Sequence, residues 1–505
     1  MSAERLMVAF AGTALPDDLR VALAGDAYAG VTLFRHWNVA SVEQLRELTG
    51  ALQGAARVGP LLIATDQEGG QLNALGDGPT PFAGAMALGA VADEDLAERV
   101  GAATGRELRA LGVNVNYAPV CDLATNPRNP ALGIRCFGDD PQAVGRLAAA
   151  TVRGLQSAGV AATVKHFPGL GDAPVDTHHD LAVVGTSRDQ LESRELVPFR
   201  AAIAAGARLA MAGHIAVPAL TGDASVPASL SPAALRGVLR EELGFDGLTI
   251  TDALDMAGVR AIGDADPLAA ALAAGEDLLL GTPVLPLVGH ALRADDDQAP
   301  TLRLAALRRW LRAFDQPDPG VVGSAEHRAL ADELARRSIT LVCDDAGLLP
   351  LRLSAEQRVL VIQPKPNDLT PADTTSTVPA VLAAAIRRRH GATDSALMSV
   401  EPDATEIAVL RTQAARADVV ILGTDAAHLR PGQAELARSI LALGVPCVTV
   451  ALRTPWDITA YPESASHVCA YGILAPTIEA LAAALFGEQP FWGNLPVALQ
   501  QAVRS

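Results

Sequence analysis

The chain lacks clustered basic residues and paired cysteines. Acidic residues number 57 against 40 Lys and Arg, which gives a net charge of −17. Because binding to a polyanion needs clustered cations, this balance argues against a nucleic-acid partner. The one basic run, residues 387–389, is more typical of a helix end. The five cysteines form no CxxC pair, which argues against a disulfide framework or a zinc site, and we expect no metal and no other cofactor.

Long apolar runs are also lacking. No run reaches the roughly 18 residues that a membrane-spanning helix needs. The N-terminal apolar piece, residues 6–11, is too short for a signal peptide and lacks the basic region before it. We therefore expect no membrane association and a cytoplasmic location. Hydrophobic residues make up 50% of the 505-residue chain, which is enough apolar surface for two or three folded domains.

Short runs of β-forming residues alternate with helical patterns rich in Ala, Leu and Arg over about the first 300 residues. Such alternation predicts a parallel sheet, and eight strand–helix units in this length predict an α/β fold of the (β/α)8 TIM-like barrel type. The predicted strands are residues 6–10, 30–34, 61–65, 113–117, 162–165, 209–212, 248–251 and 277–280.

Ionisable side chains directly follow several of these strands. Asp66, Lys165, His166, His214 and Asp252 all stand at or just past a predicted strand end. In a barrel of this type the active site lies at the C-terminal ends of the strands. The pattern therefore predicts that these side chains meet in one site.

The pattern changes near residue 315. Residues 315–320 contain two prolines and a glycine and predict a linker. A second α/β series then predicts a smaller three-layer α/β/α sandwich. We expect a catalytic barrel over 1–314, a linker and connecting helix over 315–334, and a C-terminal sandwich over 335–505. The predicted connecting helix is 324–337, the predicted loop is 367–377, and the predicted strands are 339–342, 358–362, 419–423 and 446–450.

The loop from Lys165 to His178 concentrates basic groups, carboxylates and an imidazole between glycines and prolines. Catalytic residues concentrate on such loops at the end of a rigid strand. Asp176 stands two residues before His178, so its carboxylate can orient the imidazole, which suits proton transfer near neutral pH. The alternatives are an ordinary charged surface loop, a role for the adjacent His179, or a metal site formed by the two histidines.

Two carboxylates follow the seventh predicted strand. Asp252 ends a buried run, where a carboxylate can act as a nucleophile or stabilise a developing cation. Its alternative role is to cap the next helix. Asp255 is the weaker candidate for the same chemistry.

Two further charged residues suit the binding of a polar ligand. Asp66 can accept charge-assisted hydrogen bonds from sugar hydroxyls, with Glu68 as a competitor. Arg135 offers a fork of donors on an irregular loop, but it can equally form a salt bridge with Asp139 or Asp140.

Taken together, these segments resemble glycoside hydrolase family 3, and within it the bacterial β-N-acetylglucosaminidase (β-N-acetylhexosaminidase) branch. An Asp-Thr-His triplet at 176–178 is the most diagnostic piece, because it separates this branch from the β-glucosidase-like members. The matching segments are residues 30–34, 66–70, 116–122, 135–138, 165–169, 176–178, 212–214, 229–231 and 251–254.

The resemblance implies a retaining exo-β-N-acetylglucosaminidase acting on terminal GlcNAc, for example on fragments from peptidoglycan recycling. It implies that Asp252 is the nucleophile and that His178, paired with Asp176, is the acid/base. The implied sugar-binding positions are Asp66, Arg135, Lys165 and His166, with His214 also placed in the pocket. The partner is then a small carbohydrate, and the oligomeric state stays open.

The chain departs from the family pattern at two positions. Gln71 follows the Gly-Gly pair where the family often has Arg, and Leu170 stands where a second histidine is common. These departures affect a binding arginine and loop contacts, but not the implied nucleophile or acid/base. The C-terminal segments resemble the two-domain members, and none of their residues is assigned to the chemistry.

Two other functions fit the same residues. A phosphorylase would use phosphate as the acceptor, since a neutral imidazole repels an anion less than a carboxylate does. A non-catalytic sugar-binding protein could share the fold, but it predicts losses among the ionisable residues, and Asp176, His178 and Asp252 are all present.

Overall fold

A computed structural model describes residues 2–25, 28–177, 180–260, 266–281, 297–370 and 372–499. The N-terminal part contains a parallel eight-stranded barrel, and the C-terminal part contains a six-stranded sheet between helices. The barrel and the sandwich predicted from the sequence are both confirmed.

The barrel strands, β1 to β8, are short and buried along their whole length. They lie in the order β7-β6-β5-β4-β3-β2-β1-β8, and a bridge between Ile250 and Leu278 closes the ring. Parallel strands covered on both faces need continuous apolar runs, which is why these segments are recognisable in the sequence. The strands are Leu6–Val8, Gly30–Thr32, Leu62–Thr65, Val115–Asn116, Ala161–Phe167, Leu209–Ala212, Leu248–Thr251 and Leu279–Leu280.

Helices follow the strands around the barrel. The two helices of 17 residues begin at side-chain caps: Asp93 and Asp140 each accept a backbone N–H of the following turn, which stabilises the helix start. The helices of this part are Asp17–Ala24, Arg35–Asn38, Val42–Ala55, Ala85–Val91, Glu94–Ala110, Pro141–Ser157, Arg188–Gln190, Leu196–Ala204, Pro218–Thr221, Ala257–Arg260, Pro267–Ala274 and Ala299–Leu311, with π-helical turns over Leu191–Glu195 and Ala233–Glu242.

Two short strand pairs stand at the upper rim of the barrel. Gln67–Gly69 and Leu72–Asn73 form an antiparallel hairpin directly after β3. Ala182–Val183 pairs in parallel with Ile215–Ala216. Both pairs extend the barrel at its C-terminal rim, where loops carry the polar side chains.

The C-terminal sheet has six strands, β9 to β14, of which only β9 runs antiparallel to its neighbour. Their order is β9-β14-β13-β12-β10-β11. The sequence predicted four of them and missed β11 and β14. The strands are Thr340–Asp344, Val359–Pro364, Thr393–Met398, Val419–Thr424, Cys447–Ala451 and Ser466–Cys469, and the helices are Leu382–Arg387, Ala404–Ala414, Pro431–Leu441 and Ala475–Leu485.

Helix Ala325–Ser338 joins the two parts. It contacts the barrel helices Ala85–Val91 and Glu94–Ala110 as well as the C-terminal helix Ala475–Leu485. The sequence predicted this helix within one residue at each end. We keep the division into 1–314, 315–334 and 335–505 as a proposal. Within the described ranges, none of the helices combines the length and the hydropathy that a bilayer span requires.

Candidate active site

A cavity of about 450 Å³ opens at the C-terminal ends of the barrel strands. Five of the residues that the sequence singled out line it together, and four of them were predicted to meet because they stand at or just past a predicted strand end. They are Asp66, Arg135, Lys165, His166 and Asp252.

Asp252 follows β7 immediately, and its backbone N–H bonds to Ala212 O on β6 at 3.0 Å. Its Oδ1 atom accepts a hydrogen bond from Ala253 N at 2.7 Å. The next helix begins at Ala257, so Asp252 is not its N-cap. Asp255 lines the same cavity. The strand end thus presents a half-buried carboxylate to the pocket.

Lys165, which lines the same cavity, lies between two carboxylates. Its Nζ atom lies 2.5 Å from Asp66 Oδ1 and 2.6 Å from Glu68 Oε1. Burial would lower the pKa of Lys165, but Asp66 and Glu68 raise it above its ordinary value. The lysine is therefore a permanent cation whose position is set by both acids.

Glu68 also binds Arg135 through two parallel hydrogen bonds of 2.9 Å, to Nε and Nη2. Burial would raise the pKa of Glu68, but Arg135 and Lys165 lower it to about 2. Arg135 Nη1 donates to Ala131 O at 3.0 Å. The expected alternative, a salt bridge from Arg135 to Asp139 or Asp140, does not form.

His166 is oriented by Asp122, a residue that the sequence had placed only within a matching motif. His166 Nδ1 lies 2.6 Å from Asp122 Oδ2, and since a carboxylate only accepts, Nδ1 carries the proton. The other carboxylate oxygen of Asp122 accepts Leu170 N at 2.7 Å. Asp122 is completely buried, so it fixes both the ring and the start of the loop that follows.

His214 does not line the cavity, although the resemblance placed it in the pocket. The ring is completely buried. Its Nδ1 lies 2.7 Å from Ser229 Oγ, and its Nε2 donates to Ala253 O at 3.0 Å. The ring therefore supports the residue next to Asp252 from behind the pocket wall.

The loop that leads to the predicted acid/base reaches the same pocket. Asp176 is buried, and Thr177 lines the cavity. Gly258 N donates to Thr177 O at 3.3 Å, which joins this loop to the segment after Asp252. His178 and its competitor His179 lie outside the described residues. Among the described residues, no group of three or more potential metal ligands comes together.

The C-terminal part closes one side of the pocket. Ala372, Asp373 and Thr374 line it, although the sequence assigned none of the C-terminal residues to the site. Thr374 N donates to Gln71 O at 2.9 Å, and Thr374 Oγ1 accepts from Asn73 N at 3.0 Å. The segment is thereby docked on the hairpin that follows Asp66.

A buried arginine holds this segment from the other side. Arg453 Nη1 donates to Asp373 Oδ2 and to Thr375 Oγ1, both at 2.8 Å. Its Nη2 donates to Asn367 O at 2.9 Å, and its Nε to Asp425 Oδ1 at 2.9 Å. Residues 372–374, which form this wall of the pocket, are therefore held in place by the loops of the C-terminal sheet.

Glu68 and Asp122 are the two supporting residues whose importance the sequence understated. Glu68 follows β3 by three residues, and Asp122 lies farther from the end of β4, in the loop after it. Their roles depend on Arg135 on the loop turn Gly133–Arg135, and on Lys165 and His166 of β5.

The family comparison covers the barrel. Residues 6–286 match the model of the glycosyl hydrolase family 3 N-terminal domain. The β-hexosaminidase A of Pseudoalteromonas piscicida is 34% identical over 384 residues, which are 68% of this chain but only 64% of that protein. A β-hexosaminidase of Stenotrophomonas maltophilia is 38% identical over 329 residues, or 64% of this chain and 95% of that one.

A solved structure extends the likeness to both parts of the molecule. The family 3 β-N-acetylglucosaminidase from Paenibacillus sp. str. FPU-7 superposes with a TM-score of 0.91 at 33% identity, covering 99% of this chain and 98% of the other. The match over more than half of the sequence, together with these relatives, shows that the chain belongs to glycosyl hydrolase family 3 and is a glycoside hydrolase.

Proposed function

We propose that the chain is a retaining exo-β-N-acetylglucosaminidase that removes terminal GlcNAc from glycosides or peptidoglycan-derived fragments. The observation that carries this proposal is the Asp252 carboxylate, which faces a cavity walled by the Asp66–Lys165–Glu68–Arg135 network. The relatives named β-hexosaminidase and the solved β-N-acetylglucosaminidase support the choice of sugar.

In the first step, an Asp252 oxygen attacks the anomeric carbon and forms a glycosyl ester. The bond from that carbon to the aglycone oxygen breaks, and the His178 imidazolium donates its proton to the leaving oxygen. In the second step, the neutral imidazole takes a proton from water, which attacks the same carbon and releases Asp252. The configuration at the anomeric carbon is therefore retained.

The described part of the loop supports this assignment of His178. Thr177 lines the cavity and is bonded to Gly258, so the chain reaches the pocket immediately before His178. Asp176 is buried, and a buried carboxylate two residues away can hold the imidazolium form that the first step needs. A comparison of His178→Ala with His179→Ala tests the alternative that His179 is the acid/base.

The sugar is held mainly by Asp66 and Lys165. Asp66 keeps a quarter of its side chain exposed and can accept hydrogen bonds from sugar hydroxyls. Lys165 can donate to the same hydroxyls, while Arg135 and His166 complete the polar wall. We propose that His214 acts differently, by positioning Ala253 and thus the Asp252 carboxylate.

A covalent trap tests the proposal. A GlcNAc fluoride with an additional fluorine at C5 keeps the acetamido group and slows the second step, so the glycosyl-enzyme accumulates. Mass mapping is expected to find the sugar on the peptide that contains Asp252. A label on another residue, or no label while turnover proceeds, contradicts the mechanism.

Separate assays test the acceptor of the glycosyl group and the location of the protein in the cell. Turnover of an aryl β-GlcNAc glycoside is expected to be independent of phosphate and to yield free GlcNAc, whereas a sugar 1-phosphate would assign the chain to the phosphorylases. A cytoplasmic location and action on peptidoglycan fragments belong to the proposal, and cell fractionation and assays on GlcNAc-terminated muropeptide fragments test them.

A further inference from the structure

A helical turn after β2 lies at the mouth of the pocket. Residues 33–37 all line the cavity. Of the described residues that line it, only two are exposed, the consecutive His36 and Trp37. Every other described lining residue is buried or half-buried. The open end of the pocket is therefore marked by an imidazole and an indole.

This turn is held rigidly. Asn38 is buried; its Oδ1 accepts Phe34 N at 2.9 Å, and its Nδ2 donates to Phe10 O at 2.9 Å and to Gly12 O at 3.0 Å. The Phe34 ring meets the Trp37 ring edge-on, with centroids 5.5 Å apart. The indole is thus fixed in place before any ligand arrives, which lowers the entropic cost of binding against it.

Trp37 keeps 36% of its surface exposed. The exposed part of the indole adds nothing to the free energy of folding, because only apolar surface that is removed from water stabilises the fold. A pocket that takes the terminal sugar at its polar end places the leaving group at its open end. There, an indole offers a flat surface to the C–H face of a second sugar ring.

We infer that Trp37, with His36 beside it, forms the subsite for the aglycone, and that this subsite takes a pyranose ring. The inference rests on the proposed function and adds to it the class of leaving group. It predicts that the enzyme prefers a saccharide aglycone to a leaving group too small to touch Trp37.

Two substrates that differ only in the aglycone test this subsite. N,N′-diacetylchitobiose places a sugar at the mouth, whereas GlcNAc β-fluoride leaves the mouth empty. For Trp37→Ala, kcat/KM on the disaccharide is expected to fall about tenfold, while kcat/KM on the fluoride stays within about twofold. Trp37→Phe keeps an aromatic face and is expected to lie in between.

Trp492→Ala is the matched control, because Trp492 is 62% exposed and does not line the cavity. It is expected to match wild type on both substrates. Equal losses on the two substrates in Trp37→Ala, or no loss on either, overturn the inference.

A binding measurement separates this inference from the proposed function. Titration of Asp252→Ala, which turns the disaccharide over too slowly to interfere, with diacetylchitobiose is expected to change tryptophan fluorescence. In the same background, Trp37→Phe is expected to lose most of that change while Trp492→Phe keeps it. If wild type binds the disaccharide but hydrolyses neither substrate, the proposed function fails and the fluorescence result still decides the role of Trp37. An unchanged signal in Trp37→Phe overturns the inference.

Discussion

Two clusters of ion pairs support the pocket, and they differ in what they present to it. In the barrel, Glu68 pairs with Arg135 and Lys165, and Lys165 also pairs with Asp66. In the C-terminal part, one cation, Arg453, serves two carboxylates, Asp373 and Asp425. The pKa of Glu68 is lowered to about 2 by its cations despite burial. Burial raises the pKa of Asp373, although Arg453 opposes it.

The barrel cluster can bind a ligand, whereas the C-terminal cluster around Arg453 positions its neighbours. In the barrel cluster, Glu68 holds two cations that line the cavity, and Asp66, the second acid of the cluster, lines it as well. In the C-terminal cluster, Arg453 uses its donors on Asp425, Asp373, Thr375 and Asn367, and it lines no described part of the pocket. A buried charge that retains a face toward a cavity is a candidate for ligand binding, whereas one that is fully enclosed positions its neighbours.

The largest expected effect is at Asp252, which the barrel cluster faces. Asp252→Ala is expected to lower kcat on an aryl β-GlcNAc glycoside by roughly a thousandfold or more, because the proposed mechanism forms the glycosyl ester on this carboxylate. Azide is expected to restore turnover partly and to give the α-glycosyl azide, since a small anion can attack from the vacated side. A rate within tenfold of wild type would remove Asp252 from the mechanism.

The second test substitutes one acid in each cluster. Glu68→Gln and Asp425→Asn each break a buried ion pair and are expected to lower the free energy of unfolding by about 3 kcal/mol. Only Glu68→Gln is expected to lower kcat/KM strongly, by roughly a hundredfold, because Arg135 and Lys165 both lose the carboxylate that positions them toward the cavity. Denaturant unfolding and steady-state kinetics check this pair. Similar activity losses in both variants would contradict the distinction between the clusters.

The link between the clusters is tested at Thr374. Thr374→Val keeps the shape of the side chain but removes the hydroxyl that bonds to Asn73 N. One hydrogen bond of this kind stabilises by about 1 kcal/mol, so KM is expected to rise by roughly fivefold while kcat changes little. The exposed Ser376 on the same segment provides a control as Ser376→Ala. A loss confined to kcat would show that the segment acts on the reaction step.

The smallest effect concerns Glu195, a buried carboxyl under the loop that follows His166. Burial raises the pKa of Glu195 to about 7, although Arg194 opposes this. The folded protein therefore keeps this proton while the unfolded chain loses it above about pH 4.5, so the group costs stability as pH rises between these values. Glu195→Gln removes that cost.

Melting temperatures across pH 4 to 8 check this expectation. The gain in Tm of Glu195→Gln over wild type is expected to grow from pH 4.5 to 7 and then to level off. Glu192→Gln, an exposed site on the preceding turn, is the control and is expected to show no such trend. A gain that is constant with pH would contradict a buried, protonated Glu195.

The sequence predicts the parts of this molecule that are governed by local apolar patterns. Strands Leu209–Ala212 and Leu248–Thr251 are found at the predicted residues, because both are continuous buried runs. Thr393–Met398 was missed since it lies at the sheet edge and exposes three of its six residues, so it is not a continuous buried run. Ser466–Cys469 was missed because it contains a polar His467, which is satisfied by Thr449 from the neighbouring strand.

The site was predictable as a set of positions but not as a set of contacts. Asp66, Lys165 and Asp252 were selected because each follows a strand, and the structure brings them to one cavity. The role of Glu68 and the approach of Thr374 depend on residues far away in the chain. No local pattern encodes such pairings, because Glu68 meets Lys165 only when the barrel forms, and Thr374 meets Asn73 only when the C-terminal part packs on the barrel.

The bond between Gly258 and Thr177 has a consequence for engineering this enzyme. It couples the stretch ahead of His178 to the stretch behind Asp252, and a Cβ atom at position 258 would stand only 3.0 Å from His214 O. A loop around His178 taken from another enzyme should therefore be transferred together with that enzyme's segment near residue 258, because the two segments contact each other through this bond.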